Sequence, residues 1–225
     1  MNTAWRRVNE AHAPKFRKGY MFEIRARFDD SVIRVYQAFS PEVALPALVA
    51  GRFVPPFKMS RMTWIKPSFN WMMYRSGFAS KPGQEYVLGI DIRREGFEWA
   101  LEHGVLSAFV PELHGSEKHW ERLCCNSSVR IQWDPERTWD LRKVHDQKTI
   151  QIGLTGPAIN KYVNEWIVSI ENVTPIAESI ARFVSRGVPP FKRPDQEEKT
   201  YPATSRLVRK LVVYSAGGNN CVHYL

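Results

Sequence analysis

Acidic residues are missing from a long central stretch of this chain. Between Val43 and Gln84 there is no Asp or Glu, but there are six Lys or Arg side chains and four of the six methionines. The aromatic residues in the stretch are Phe53, Phe57, Trp64, Phe69, Trp71, Tyr74 and Phe78. Charge of one sign between flat rings is typical of a surface that binds phosphates and stacks on bases. The same pattern also fits a packed helix and strand whose basic side chains extend into water.

Cysteines and long apolar runs are scarce as well. The three cysteines include the adjacent pair Cys124 and Cys125 and form no Cys-x-x-Cys motif, which disfavours a disulfide framework and a zinc site. No apolar run approaches the roughly 18 residues of a membrane span. No apolar segment follows Arg6 and Arg7, so a secretory signal is not expected. We therefore expect no membrane partner and a reducing, cytoplasmic location.

Common enzyme motifs are absent too. The chain has no Gly-x-Gly-x-x-Gly, no phosphate loop ending in Gly-Lys-Ser/Thr, no His-Glu-x-x-His and no Gly-x-Ser-x-Gly. Its six histidines are scattered through polar segments. A metal cofactor and a Ser-His nucleophile are therefore not expected.

Length and charge fit one basic globular domain. The 225 residues are 44% hydrophobic and 24% charged, enough for a real core. The net charge of +9 favours an anionic partner such as nucleic acid, a nucleotide or acidic lipid. Eight tryptophans add large stacking surfaces.

Hydrophobic periodicity predicts short strands mixed with short helices, and so an α+β fold. The predicted strands cover 22–27, 32–38, 62–65, 86–92, 129–133, 149–154 and 167–170. The predicted helices cover 41–50, 67–74, 97–103, 158–166 and 175–185. We expect a basic flexible arm at 1–19, a single domain at 20–190 and a partly disordered tail at 191–225, in which 207–214 forms a further strand.

The first candidate site lies where the strand at 32–38 meets a helix start. Arg34 and Gln37 flank Tyr36 there, and a guanidinium beside backbone N–H groups suits phosphate. The alternative is a surface Arg34 paired with Asp29 or Asp30.

The second candidate site is a cluster within the aromatic stretch, formed by Trp64, Lys66, Ser68, Trp71 and Tyr74. The alternative is that its rings fill the core while its lysine faces solvent.

The third candidate site follows the strand at 129–133, where Asp134-Pro135-Glu136-Arg137 predicts a turn. A carboxylate fixed by such a turn can stabilise a cation or act as a general base. The alternative is an ordinary solvated turn.

The chain resembles the family of domain of unknown function 4291. The matching strings are Ile33-Arg-Val-Tyr-Gln-Ala38, Phe57-Lys-Met-Ser-Arg-Met-Thr-Trp-Ile-Lys-Pro-Ser-Phe-Asn-Trp-Met-Met-Tyr-Arg-Ser-Gly77, Gln132-Trp-Asp-Pro-Glu-Arg137 and Ile150-Gln-Ile-Gly-Leu154. They span roughly residues 22–190. The family's description implies no function.

The order of motifs is also similar to that of ADP-ribosyltransferases, most of all the DarT-like enzymes that modify nucleic acid. The resemblance implies two small packed mixed or antiparallel sheets around a cleft for NAD⁺, which serves as the substrate. RNA or DNA is the acceptor that this resemblance and the charge favour.

The ADP-ribosyltransferase resemblance also implies roles for the candidate residues. Arg34 or Gln37 would grip the dinucleotide, with Tyr36 beside them. Trp64 and Tyr74 would flank the nicotinamide. Lys66 and Arg75 would face phosphate or substrate, and Arg75 is also a candidate catalytic residue. Ser68 and Trp71, from the second candidate site, are further candidates for binding the cofactor.

Glu136 would be the acidic catalyst, with Asp134 as its rival. The chain has no histidine at the first motif, and Gln132-Trp-Asp134 replaces the usual Gln/Glu-x-Glu. A non-enzymatic nucleic-acid-binding protein is the alternative function.

Overall fold

The computed structural model describes residues 21–203, which form ten β-strands, seven α-helices and two further helical turns. The strands are β1 (Met21–Glu23), β2 (Arg25–Ala26), β3 (Val32–Phe39), β4 (Thr63–Ile65), β5 (Tyr86–Arg93), β6 (Gly104–Leu106), β7 (Val129–Arg137), β8 (Lys143–Leu154), β9 (Ile167–Asn172) and β10 (Lys199–Thr200). The α-helices are α1 (Pro41–Ala50), α2 (Phe69–Ser76), α3 (Arg94–His103), α4 (Pro111–His114), α5 (Glu117–Asn126), α6 (Pro157–Lys161) and α7 (Thr174–Val184). A π-helix covers Tyr162–Trp166 and a 3-10 helix Pro194–Glu197. No helix within 21–203 is long and apolar enough to cross a membrane.

The first sheet has five strands and is built on the long strand β8. One edge of β8 pairs antiparallel with β7, which in turn pairs parallel with β6. β8 also pairs with two short strands, with β1 in parallel at 147–149 and with β4 antiparallel at 152–154. The long hairpin of β7 and β8 therefore forms the centre of the sheet, and three short strands extend it.

Alternation along β7 and β8 gives the first sheet one apolar and one polar face. Strand side chains point to opposite faces in turn. Ile131 pairs with Ile152, and both are completely buried. On the opposite face Gln132 pairs with Gln151, and Asp134 pairs with Thr149. The apolar face packs into the core, so the side chains of the polar face are the ones that can form a functional site.

The second sheet is antiparallel, in the order β3-β5-β9. A pair of backbone hydrogen bonds joins it to the first sheet beyond the end of β4. Tyr36 N–H donates to Lys66 O at 2.7 Å, and Lys66 N–H donates to Tyr36 O at 3.3 Å. Strands β2 and β10 form a separate antiparallel ribbon. The expected α+β fold in a single domain is confirmed.

Helix α2 covers 69–76, two residues further along the chain at each end than the predicted 67–74. Ser68 is its N-cap, and Gly77 follows its last residue with φ of +61°, a conformation that glycine adopts without strain. Its apolar residues contact Tyr36 and α7 in a second small core. Lys66 and Ser68, which precede the helix, are thereby held against the polar face.

Two expectations about chain segments need correction. The predicted turn at 134–137 is wrong, because β7 continues to Arg137 with an irregularity between Pro135 and Arg137. A proline is tolerated there because β6 ends opposite Ile131, which leaves that edge of β7 free at Pro135.

The boundary drawn at residue 190 also leaves out chain that packs against the domain. The 3-10 helix and β10 lie beyond it, and Tyr201 is buried in the core. The predicted arm at 1–19 and strand at 207–214 lie outside the described residues.

Candidate active site

The centre of the candidate site is a lysine with no solvent exposure. Lys66 Nζ lies 3.4 Å from Asp134 Oδ2 and 3.3 Å from the carbonyl oxygen of Thr149. It also lies over the Trp71 ring, 4.3 Å from the centroid. Asp134 Oδ1 accepts a hydrogen bond from Gln132 Nε2 at 2.9 Å. Both oxygens of Asp134 are therefore engaged within the protein.

A second carboxylate, Glu136, is held by one oxygen only. Its Oε1 accepts the Ser68 hydroxyl at 2.8 Å and the Arg137 backbone N–H at 2.7 Å. The Ser68 oxygen in turn accepts Trp71 N–H at 3.2 Å, as the cap of α2. Oε2 of Glu136 accepts no hydrogen bond from the described residues. The site thus holds a carboxylate in fixed orientation with one oxygen uncommitted.

A third carboxyl group comes from the far end of the described chain. Glu198 lies between the 3-10 helix and β10, and its Oε1 accepts Phe69 N–H, the first amide of α2, at 2.7 Å. Arg25 Nη2 donates to the Glu198 backbone oxygen at 2.7 Å. The start of α2 is therefore closed by Ser68 and Glu198 together, which accept hydrogen bonds from amides of its first turn.

Burial shifts the ionisation of two of these groups in ways that reduce their charge. Burial raises the pKa of Glu198 well above its usual range, helped by the nearby charges of Glu136 and Asp195, and favours the neutral acid. Burial also lowers the pKa of Lys66, against the opposing effect of the Asp134 and Glu136 charges. Asp134 and Glu136 outnumber Lys66, the basic side chain between them, so the cluster is acidic in composition even with Glu198 neutral.

The polar face supplies further groups beside this cluster. Thr149 is buried, and its hydroxyl has no hydrogen-bond partner among the described residues. Its register partner is Asp134, so the two side chains share the polar face. Half-buried Trp64 pairs with Gly153, where an added Cβ would lie 3.0 Å from the indole. The glycine lets the indole lie close to the strand.

Comparison with protein families identifies the chain at the level of family. The family described as "Domain of unknown function (DUF4291)" matches residues 23–201, which include every residue of the cluster. The chain belongs to the DUF4291 family. A search of curated proteins found no match.

In this DUF4291 domain the residues of the first predicted site are bonded within the protein. Arg34 is buried and donates to both oxygens of Asp91, at 2.6 and 2.7 Å, and to Glu171 at 3.0 Å. Its predicted alternative partners, Asp29 and Asp30, form no ion pair with it.

Gln37 and Tyr36 are equally enclosed. The Gln37 amide donates to Thr63 Oγ1 at 2.6 Å and accepts the Tyr162 hydroxyl at 2.7 Å. The Tyr36 ring packs edge-on against Phe69. These contacts join β3 to β4, α2 and the π-helix.

The second predicted cluster is divided between the interior and the surface. Lys66, Ser68 and Trp71 are buried beside Asp134 and Glu136, so the alternative in which Lys66 faces solvent does not hold. Tyr74 is 40% exposed and Arg75 is exposed, at the outer end of the same helix.

Two groups of the site escaped sequence reasoning. Glu198 lies in a charged, proline-containing segment far along the chain from its partners, with no local pattern that marks it. Thr149 had a usable signal, because it alternates with Ile150 and Ile152 and must face away from the core. Within 21–203, no group of three or more His, Cys, Asp or Glu is placed to hold a metal.

Proposed function

We propose that this DUF4291 protein is an NAD⁺-dependent ADP-ribosyltransferase whose acceptor is nucleic acid, acting in the cytoplasm. The observation that carries the proposal is the Glu136 carboxylate, with Oε1 fixed by Ser68 and Arg137 and with no hydrogen bond to Oε2 from residues 21–203. A carboxylate in a fixed orientation is what the chemistry of glycosyl transfer from NAD⁺ requires.

Glu136 is the acidic catalyst in this proposal, and Asp134 has a supporting role. Breaking the bond between ribose C1′ and the nicotinamide nitrogen leaves positive charge on the ribose, and the electron pair of that bond departs with neutral nicotinamide. A fixed carboxylate stabilises this charge as it develops. An acceptor oxygen or nitrogen then bonds to C1′ and releases its proton to the carboxylate or to water. Asp134 fits this role less well, because Lys66 and Gln132 occupy its oxygens.

The charge of the cluster supports a cationic ligand. Two carboxylates, Asp134 and Glu136, face the one lysine of the cluster, and burial favours the neutral form of Glu198. Nicotinamide in NAD⁺ and the ribosyl cation each carry one positive charge.

The basic loop that leads into β4 supports nucleic acid as the proposed acceptor. Arg52, Lys58 and Arg61 are exposed, and none pairs with a carboxylate among the described residues. Net charge of +9 favours a polyanion at such a surface. Arg75, exposed at the end of α2, adds to the positive charge that a nucleic acid would meet.

The deciding experiment follows nicotinamide release from NAD⁺ and transfer of label from the adenylate phosphate to single-stranded DNA or RNA. We expect Glu136→Gln to abolish both activities, since the amide keeps an Oε1 acceptor but loses the charge. Glu178→Gln, at an exposed position of α7, is the matched control and should stay active. Nicotinamide release that persists in Glu136→Gln would remove Glu136 from the mechanism, and no NAD⁺ binding by calorimetry would end the proposal.

A nucleic-acid-binding protein without enzymatic activity is the second candidate. The unpaired exposed cations of the basic loop favour it, because they need no carboxylate to act. It predicts binding that weakens steeply with salt and is indifferent to NAD⁺ and to Glu136. Removing Arg52, Lys58 and Arg61 together should reduce the salt dependence, whereas salt-independent binding would exclude this candidate.

A further inference from the structure

Arg137 follows Glu136 directly and is fixed by two different elements. Its backbone N–H donates to Glu136 Oε1, and its carbonyl oxygen accepts Asn70 Nδ2 at 3.2 Å. Its guanidinium lies against the Tyr74 ring, with Cζ 3.5 Å from the centroid. Strand β7 therefore fixes the position of the Arg137 main chain, and helix α2 fixes the position of its guanidinium.

The donors of this guanidinium are largely unused. Nη1 makes one long hydrogen bond, 3.4 Å to the carbonyl oxygen of Leu141, and Nε is buried without a partner. Two other arginines that lie over rings pair with carboxylates: Arg94 with Glu98 at 3.5 Å and Arg193 with Asp195 at 3.0 Å. Arg137 forms no such ion pair within the described part of the chain. A guanidinium that is held in place without a counter-ion can bind an anionic ligand without first changing its position.

One further cation lies beside Arg137, and another lies on the helix that carries its stacking partner. Lys143 is the register partner of Arg137 on β8, and Arg75 follows Tyr74 on α2. Both are exposed, and neither pairs with a carboxylate of the described residues. Basic side chains therefore predominate at this rim of the site, whereas carboxylates predominate in the interior cluster.

We propose that Arg137 binds a phosphate group of the substrate at the rim of the site, next to Glu136, with Arg75 and Lys143 adding to the attraction. The planar guanidinium matches phosphate oxygens, and stacking on Tyr74 keeps it oriented before the ligand arrives. The choice of phosphate rests on the proposed function. It is either the pyrophosphate of the dinucleotide or a phosphodiester of the nucleic-acid acceptor, and binding measurements separate these sources.

The test measures binding of inorganic pyrophosphate and NAD⁺ by calorimetry, and of a fluorescent single-stranded oligonucleotide by anisotropy. Arg137→Met removes the charge but keeps an apolar stem on Tyr74. Arg193→Met is the matched control, since it removes a ring-stacked arginine whose charge is already paired. Arg137→Gln provides a second variant if Arg137→Met does not fold, with folding checked by circular dichroism.

We expect Arg137→Met to weaken one class of ligand at least about tenfold, and Arg193→Met to leave both unchanged. If Arg137→Met loses binding of pyrophosphate and NAD⁺, the phosphate that Arg137 binds belongs to the dinucleotide. If it loses only oligonucleotide binding, that phosphate belongs to the nucleic-acid acceptor. Unchanged affinity in both arms, or no binding by the wild-type protein, overturns the inference. Because neither arm requires turnover, phosphate binding that depends on Arg137 in a protein that never releases nicotinamide would refute the proposed function and leave this inference intact.

Discussion

The hydroxyl of Ser68 joins the start of helix α2 to the carboxylate of Glu136. It accepts Trp71 N–H at 3.2 Å as the helix N-cap and donates to Glu136 Oε1 at 2.8 Å. A helix cap and the orientation of the candidate catalyst therefore depend on one oxygen atom. Any change that moves the start of α2 also moves the hydrogen bond that orients Glu136.

Replacing Ser68 by alanine should consequently destabilise the protein more than replacing an ordinary helix-capping residue does. We expect the free energy of unfolding to fall by about 2–3 kcal/mol, the sum of a lost cap and a lost bond to a buried carboxylate. Ser116→Ala is the control, because Ser116 caps α5 through His119 N–H without touching the site, and it should cost about 1 kcal/mol. Urea unfolding measures both values. Equal costs would mean that the bond to Glu136 contributes nothing to stability.

The Lys66–Asp134 pair gives a second prediction. Lys66→Met leaves the Asp134 carboxylate without its cation in a buried setting and should destabilise the protein by about 3 kcal/mol. The double variant Lys66→Met/Asp134→Asn removes both charges and should recover most of that loss. A double-mutant cycle in urea tests this coupling. Additive costs of the two single changes would show that the pair is not energetically linked.

Local patterns predicted most of the longer elements of this fold, since strand alternation and helix caps act over a few residues, but α4, α5, β6 and β10 were not predicted. Ser68 and Gly77 mark α2 because a hydroxyl cap and a left-handed glycine are local requirements. The error at 134–137 has the opposite cause. Asp134-Pro135 has turn chemistry, but pairing with β8 keeps the segment in a strand, and this pairing is invisible in the local sequence.

The sequence could not predict which side chains of the site contact one another in the fold. The aromatic-basic stretch marked Lys66 and Ser68, but nothing in it indicates that Lys66 would be buried against Asp134. The charge of Arg34 suggested a ligand contact, whereas its pairing with Asp91 depends on the register of β3 and β5. Glu198 reaches the site only because β10 pairs with β2. Such contacts follow from tertiary packing rather than from local propensity.

The pairing of Arg34 leads to a prediction about stability. Arg34→Met leaves Asp91 without its main partner in a part-buried setting and should cost about 3 kcal/mol. Arg27 also lies near Asp91, at 3.5 Å, but its side chain is 41% exposed, so Arg27→Met should cost no more than about 1 kcal/mol. Chemical unfolding compares the two variants. Wild-type stability of Arg34→Met together with lost NAD⁺ binding would instead support a ligand-gripping role for Arg34.

Glu198 makes the stability of the protein depend on pH in a predictable direction. Its pKa in the folded protein is raised well above the ordinary value of 4.5, chiefly by burial. At pH values between these two, the folded protein keeps a proton that the unfolded chain has released. The free energy of unfolding therefore falls as pH rises through this window, by up to about 1.4 kcal/mol per pH unit from this one group.

Glu198→Gln should remove this dependence, because an amide keeps an oxygen acceptor for Phe69 N–H but does not titrate. We expect the variant and the wild type to differ least below pH 4.5, and the variant to gain relative stability as pH rises above it. Urea unfolding from pH 4 to pH 8 measures the difference, with Glu197→Gln as the control, since that exposed neighbour lies outside the contact with α2. A stability difference that stays constant across this range would mean that Glu198 is ionised in the folded protein, and the net charge of the site would then be one unit more negative.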